Sequence, residues 1–453
     1  MKTNWQTKKL GEVCEIKPPK KEARDQLNDD DLVSFVPMED LGILTKDFVA
    51  IKERPLKEVS GSYTYFSDND VLLAKITPCF ENGKIGIARN LKNGIGFGSS
   101  EYIVFRSRGE VIPDYLYYYL ARDQFRQDGK KVMTGAVGHK RVPKDFIENQ
   151  EIPYPKSLPE QQRIVAILDE AFAAIATAKE NSEKNLQNAR ELFQSVLSQA
   201  VIGELTKEWR EEQGEEKTKS DTDLKEIHLR IKGREKKTSR SEETTGHGTI
   251  TKALPKEWQF TSIESLFNLI DYRGKNPPRT KNGRRLITAK NIKMGYLSDE
   301  PITFVSEEIY RKWMVRGFPK PDDIFFVTEG HTMGFVALNT RNDDFALAQR
   351  TITLQPIVSF STKYFFYFMM SFYFQSLVKL NATGAAAVGM KASKFRSLPL
   401  PFPSFAEQQR IVAKLDALSA ETKKLEAIYQ QKLADLDELK KSVLQKAFNG
   451  GLA

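Results

Sequence analysis

Apolar residues recur along two long stretches of this chain with the spacing of an amphipathic helix, and the two stretches are copies of each other. In the first, Ile164, Ala171, Ala178, Asn185 and Leu192 fall on one heptad position and Leu168, Ile175, Ser182, Ala189 and Val196 on the other. In the second, the two series are Ile411, Leu418, Leu425, Lys432 and Leu439, with Leu415, Thr422, Tyr429, Leu436 and Val443. The string Glu-Gln-Gln-Arg-Ile-Val-Ala opens both, at Glu160 to Ala166 and at Glu407 to Ala413, and the match continues without a gap to Gly203 and Gly450. The chain is therefore a tandem duplication. Ser157 and Glu160, like Ser404 and Glu407, have the spacing of a capping box at a helix start, and Gly203 and Gly450 that of a left-handed C-terminal cap. The pattern predicts two helices of about 40 residues, or roughly 60 Å each.

Such helices either pair as a coiled coil or lie separately, each on its own globular half. Their length favours the coiled coil. In that frame Asn185, Ser182, Lys432 and Thr422 interrupt the middle of the seam, so Leu168, Leu192, Leu415 and Leu439 are expected to hold its two ends.

Ahead of each helix lies a segment of ordinary domain size. These segments match each other only as pattern. Trp5 and Gln6 align with Trp258 and Gln259, Asp70 to Ala74 with Asp323 to Val327, and the aromatic run Tyr115 to Tyr119 with Tyr364 to Phe368. Short β-branched and aromatic runs between Gly, Asn and Asp turns give each segment an α+β character. The apolar run Tyr364 to Val378 is too short for a membrane span and reads as a buried helix. Five parts follow: 1–156, a globular domain; 157–205, a long helix; 206–252, a charged linker; 253–403, a second domain; and 404–453, the second helix. The linker is nearly devoid of apolar residues and cannot form a core, although a short helix is expected around Leu224 to Lys232.

Charge and cysteine content refine this picture. Lys and Arg number 69 against 60 Asp and Glu, a net charge of +9 compatible with a polyanionic partner. The two cysteines, Cys14 and Cys79, cannot build a disulfide framework, which with the polar N-terminus points to the cytoplasm. Catalytic signals are weak. Asn276 to Arg279 resembles an adenine methyltransferase motif but has Arg279 where an aromatic ring belongs. Gly94 to Gly98 reads as a turn. Asp114 with Asp128 and Lys130 spells a loose nuclease-like pattern that the second copy does not keep. No cofactor or metal site is expected.

The domains offer basic and polar residues in Gly-rich loops. In the first these are Lys17, Lys20, Thr77, Asn82, Lys84, Ser99, His139, Lys140 and Arg141. In the second they are Arg273, Lys275, Lys290, Asn291, His331, Thr332, Gln349, Arg350 and Lys391. Arg and Lys supply phosphate contacts and read guanine edges, and Asn and Gln read adenine.

Two variable segments, each ending in a Pro-x-Pro strand before a long helix that opens Glu-Gln-x-x-Ile, resemble the specificity subunit of Type I restriction–modification systems. The resemblance implies two target-recognition domains, each reading one half of a split site on double-stranded DNA. It implies two antiparallel helices, forming a coiled coil with an internal pseudo-twofold axis, that separate the domains. It further implies two methyltransferase subunits docked on the scaffold, two motor–nuclease subunits joining for cleavage, no membrane association and no catalysis by the subunit itself. The competing readings are a nuclease or methyltransferase with its own site, and an assembly scaffold with no affinity for nucleic acid.

Overall fold

The structure is a computed structural model and describes residues 4–218, 229, 254–272, 274, 276–357, 359–384 and 388–452. The expected helix around Leu224 to Lys232 and most of the linker lie outside the described residues. The chain divides into two compact units, residues 1–184 with 429–453, and residues 185–428. Helices Leu158–Val201 and Phe405–Phe448, each of 44 residues, contribute to both.

The first unit contains β1 (Trp5–Lys9), β2 (Cys14–Ile16), β3 (Leu32–Val36), β4 (Lys52–Pro55), β5 (Thr64–Ser67), β6 (Val71–Ala74), β7 (Ile85–Ile87), β8 (Ile95–Gly98), β9 (Tyr102–Ser107) and β10 (Glu151–Pro155). They form sheets ordered β2-β9-β6-β7 and β4-β3-β8-β5, and a pair β1-β10. In the second sheet β3 and β8 run parallel. Gly94 makes a turn with left-handed φ, but the rest of the Gly94 to Gly98 run is β8 rather than a turn. The ring of Phe66 lies where a side chain on Gly96 would stand, 2.1 Å from the place of its Cβ, so only glycine lets the strand pack there.

The second unit contains β11 (Gln259–Ser262), β12 (Phe267–Asp271), β13 (Arg284–Ile287), β14 (Ile292–Lys293), β15 (Tyr296–Leu297), β16 (Phe304–Val305), β17 (Ile324–Val327), β18 (Val336–Leu338), β19 (Phe345–Leu347), β20 (Thr351–Pro356) and β21 (Pro399–Phe402). The order β12-β20-β17-β18 repeats β2-β9-β6-β7, the pair β11-β21 repeats β1-β10, and the parallel pair β13-β19 repeats β3-β8. The apolar run Tyr364 to Val378 is two helices, not one. Ser371 is fully buried, ends Thr362–Met370 and accepts a hydrogen bond from the backbone of Phe374 to start Phe372–Leu380.

The repeated motif is explained by what its second residue touches. Gln161 is fully buried at the start of the first long helix. Its amide accepts from the N–H of Ile112 at 2.9 Å and donates to the carbonyls of Glu110 at 2.8 Å and Pro155 at 2.9 Å. Gln408 does the same in the second copy, accepting from Ser361 and donating to Pro403, each at 3.0 Å. A tyrosine of each aromatic helix adds a second tie: Tyr118 donates to Asp169 at 2.5 Å and Tyr367 to Asp416 at 2.6 Å. A lysine completes each group from a different place. Lys46, from a loop, bridges Asp169 and Asp114, whereas Lys363 sits on the aromatic helix of the second copy and pairs with Asp416 at 2.7 Å. Glu407 differs from a capping-box glutamate. It is buried, pairs with Arg210, and accepts from the Trp258 indole at 2.9 Å and Thr206 at 2.6 Å, fastening the start of the linker to the second long helix.

Within each unit the two long helices run antiparallel. In the first, Ile164, Val165 and Leu168 share a core with Leu444, Ala447 and Phe448. In the second, Phe193, Leu197, Ala200 and Val201 share one with Ile411 and Leu415. The heptad frame holds near its starting points and fails at the far ends. Leu192 is 55% exposed and Leu439 48%, while Leu168 and Leu415 are fully buried. The inward positions slip by one residue, to the buried Phe193 and Leu197 in the first helix and to the half-buried Lys440 and buried Leu444 in the second. A straight α-helix drifts about 20° per heptad against a strict seven-residue repeat, so four heptads amount to most of one residue. Lys440 enters the seam with its ammonium 4.9 Å from the Phe172 ring centroid, and burial together with the nearby Lys179 holds its pKa below the usual lysine value.

The two sheets treat one buried acid differently. Asp70, after the turn into β6, lies under Arg106 of β9, which also reaches Glu22. The matching Asp323 faces Gln355, at 2.8 Å, and the N–H of Lys320, at 2.7 Å. It makes no ion pair among the described residues, and burial raises the Asp323 pKa to about 6 against the weaker pull of these hydrogen bonds and of the Lys320 charge.

Two predictions follow from this packing. Leu168→Ala and Leu415→Ala should each cost about 2–5 kcal/mol, whereas Leu192→Ala and Leu439→Ala should stay within about 0.5 kcal/mol, as read by thermal unfolding of the full chain. For Asp323, a carboxyl with a raised folded pKa binds more protons folded than unfolded, so its contribution is fully present below about pH 4 and is lost as pH rises to about 6. A rise of this size corresponds to about 3 kcal/mol. Hydrogen exchange of β17 and β20 should therefore quicken between pH 4 and 6, after correction for intrinsic rates, and Asp323→Asn should remove that dependence.

Candidate nucleic-acid interface

Three loops converge in the first unit. The loop leaving β6 meets the hairpin 134–141 through hydrogen bonds from Thr77 N to Lys140 O at 2.9 Å and from Val142 N to Lys75 O at 3.0 Å. It meets the turn before β9 through Lys75 N to Glu101 O at 2.9 Å and Lys75 Nζ to Ser100 O at 3.0 Å. Gly135 and Gly138 take left-handed φ in the hairpin, and Val137 at its tip is 94% exposed. Arg141 grips Glu101 through Nε and Nη2, at 3.0 and 2.7 Å, and those hydrogen bonds lower the Glu101 pKa.

Thr77, Ser99, His139, Lys140 and Arg141 are thus brought together. Their availability differs. Arg141 is occupied by Glu101, and the Thr77 hydroxyl donates to Glu81 at 2.8 Å. Lys140 is exposed and its ammonium makes no hydrogen bond or ion pair among the described residues. Lys17 and Lys20 extend the positive field. Burial lowers the pKa of Lys75 against the pull of Glu101, and Lys17 and Arg141 lower it further; burial, Arg24 and Lys17 lower that of Lys20. Bringing a polyanion to this row would relieve the repulsion. Lys75 and Arg24 are members that the sequence reading missed, although Lys75 directly follows the predicted strand. Asn82 is exposed farther along the loop, and Lys84 turns away to donate to Met38 O at 2.6 Å.

The second unit builds the same convergence with a different ion pair across it. Thr328 N donates to Arg350 O, Gly330 N to Val388 O and Met390 N to Thr328 O, each at 2.9 Å. Here the turn supplies the arginine and the loop after the strand supplies the acid: Arg350 pairs with Glu329 at 3.2 Å. His331, Thr332, Gln349, Arg350 and Lys391 lie on these loops, with His331, Arg350 and Lys391 exposed. Lys290 is exposed in the turn after β13.

Asn291 does not belong to the interface. It is fully buried, its carbonyl accepts from the backbone and hydroxyl of Thr288, and its amide donates to Ser298 O and Pro301 O, both at 3.1 Å. Every polar atom it could use to read a base holds its own turn together. Arg273 and Lys275 lie outside the described residues.

The nuclease-like pattern disperses into structural contacts: Asp114 pairs with Lys46 and Arg89, and Asp128 pairs with Lys131 and accepts a hydrogen bond from Gln124. Among the described residues there is no cluster of three His, Cys, Asp or Glu side chains placed to hold a metal, and no helix long and apolar enough to cross a membrane.

A duplicated α+β scaffold, with matched loop clusters and long helices locked to each copy, is the architecture of a DNA sequence-specificity protein. This chain belongs to the Type I restriction modification DNA specificity domain family, whose model matches residues 2–187 and again 255–433. It is 25% identical over 94% of its length to the EcoAI specificity subunit of a Type I restriction enzyme from Escherichia coli, covering 79% of that protein. Its fold is similar to a chain from a Type I restriction–modification system solved for complex assembly and conformational transition, with a TM-score of 0.71, 18% identity and 98% of both chains covered. The HsdS subunit from Thermoanaerobacter tengcongensis gives a TM-score of 0.59 at 18% identity, over 99% of this chain and 98% of that one.

Unpaired and paired cations should behave differently toward DNA. Lys140→Ala and Lys391→Ala should each weaken binding for all sequences alike and reduce the slope of log K against log salt by about one phosphate's worth, near 0.9. Glu101→Gln should leave the charge of Arg141 in place but loosen the hairpin, seen as faster amide exchange over 135–141.

Proposed function

We propose that this chain acts as the reading subunit of a Type I restriction–modification complex. Residues 1–156 and 253–403 are target-recognition domains, each taking one half of an asymmetric bipartite site on double-stranded DNA. The two long helices set the distance between the halves and dock two methyltransferase subunits, which two motor–nuclease subunits join for cleavage. The subunit carries out no chemistry itself, uses no cofactor and works in the cytoplasm.

One observation carries the reading: the same three-loop convergence stands on the same strands in both copies, but the ion pair across it joins hairpin to turn in one, Arg141–Glu101, and the loop after the strand to the turn in the other, Glu329–Arg350. A shared frame with unlike surfaces is what two heads reading different sequences require. Phosphate contacts fix position on a duplex, whereas side chains at base edges supply the discrimination. For docking, the support is the apolar surface left outside the helix seam, Leu192, Leu425 and Ile428 in the second unit and Leu439 in the first. The scaffold-only reading has no use for a row of cations held together against their repulsion.

Replacing residues 1–156 with the corresponding domain of another family member, in the complex with its methyltransferase partners, should change one half of the methylated site and leave the other unchanged. Sequencing methylated sites reads the outcome directly. A change in both halves, or in neither, would defeat the modular reading.

A further inference from the structure

Next to the loop convergence of the first unit opens a pocket of about 370 Å³, lined by Phe35, Met38, Glu39, Arg54, Tyr63 and Ser99 among others. Its walls belong to β3 and to β4, the edge strand of that sheet, where Arg54 lies opposite Val33. Ser99 opens the turn that leads to β9, so the pocket adjoins the candidate interface.

What distinguishes this pocket is the state of its arginine. The Arg54 guanidinium carbon stands 4.3 Å from the centroid of the Phe35 ring, and Tyr63 meets that ring edge-on, with centroids 4.8 Å apart. Phe35 is itself buried, which fixes the plane on which Arg54 rests. Among the described residues Arg54 makes no side-chain hydrogen bond or ion pair. Lys52, which lines the same pocket, pairs with Asp40 at 2.8 Å, and elsewhere in the first unit Arg141 holds Glu101, Arg106 holds Asp70 and Arg24 donates to Ser60 O. Arg54 is thus exposed, held flat by an aromatic face, and left with unused donors.

We propose that Arg54 is a specificity-determining residue that reads a guanine in the half-site of the first domain, its N–H donors meeting O6 and N7. The inference rests on the DNA-reading function proposed above. A guanidinium presents two parallel donors in one plane, and guanine is the base whose major-groove edge offers two adjacent acceptors. Stacking on Phe35 removes part of the entropy that a free arginine would lose on binding. A phosphate contact would need only a charge, and the row of lysines already supplies that.

The test uses the full chain with its methyltransferase partners and compares Arg54→Lys and Arg54→Gln with the unaltered protein. Arg54→Lys keeps charge and an apolar stem on an exposed strand edge, so its thermal unfolding should be unchanged. Both variants should lose discrimination at one guanine of the first domain's half-site by about ten- to a hundredfold, measured by sequencing methylated sites and by binding to duplexes substituted at that position. The other half-site should be read as before. A first half-site without guanine, or an unaltered site in both variants, overturns the proposal. So does weakening that is equal on all sequences in Arg54→Gln and absent in Arg54→Lys, which marks a phosphate contact instead. Failure of the underlying reading looks different: the unaltered complex would then show no sequence preference, whatever stands at position 54.

Discussion

A long helix can aim a recognition domain only if its first turn is locked to that domain, and in both copies the lock is a buried glutamine amide. Gln161 and Gln408 sit where chain segments from three places meet: the closing strand, the approach to the aromatic helix, and the helix itself. Each bond contributes only about 1 kcal/mol net, but an unpaired buried backbone group costs about 1–3 kcal/mol, so loss of the amide strands several groups at once. This asymmetry explains why the motif around these residues is spelled identically twice while most of the surrounding domain is not. The tyrosine–aspartate ties add direction to the same joint.

The domains show how far a common frame tolerates change. A buried aspartate begins a central strand in both, yet one is neutralised by Arg106 and the other is held by an amide and a backbone N–H. The loop clusters keep an arginine–glutamate pair, but the turn bears the acid in one and the arginine in the other, and its partner comes from the hairpin in the first and from the loop after the strand in the second. Frame positions are set by packing, which depends on shape and apolar area. Loop positions need only satisfy one another locally, and so can drift as long as the pair drifts together.

Much of this frame was legible in the sequence, because periodicity and caps are local signals. The duplication, both helix starts, the strands at Asp70 and Asp323, and the aromatic helices all follow from spacing. The failures share a cause. A repeat of seven residues per two turns puts Leu192 and Leu439 in the seam, but the small excess of the real helix accumulates until a neighbouring residue faces inward. Asn291 resembled an exposed reader because its partners, Ser298 and Pro301, only reach it once the loop folds back. Arg141 and Arg350 resembled free cations because Glu101 and Glu329 lie 40 and 21 residues away in the chain. Arg54 does not stand out in the sequence for the opposite reason: its merit is a partner ring and donors left without an ion pair among the described residues, and neither can be read from the Glu53 beside it.

The lysine at each tyrosine–aspartate joint bears on how such chains can diversify. In the first copy the cation comes from a loop inside the domain and is shared with Asp114; in the second it comes from the aromatic helix, at the position matching Asp114. A genetic crossover within a domain, between loop and aromatic helix, would bring together two lysines or two acids with no cation to spare. A crossover in the long helix, beyond the glutamine lock and Asp169 or Asp416, would carry each arrangement over whole. The electrostatics of the joint thus favour inheritance of recognition domains as complete blocks, with new specificities arising by reassortment more readily than by patchwork.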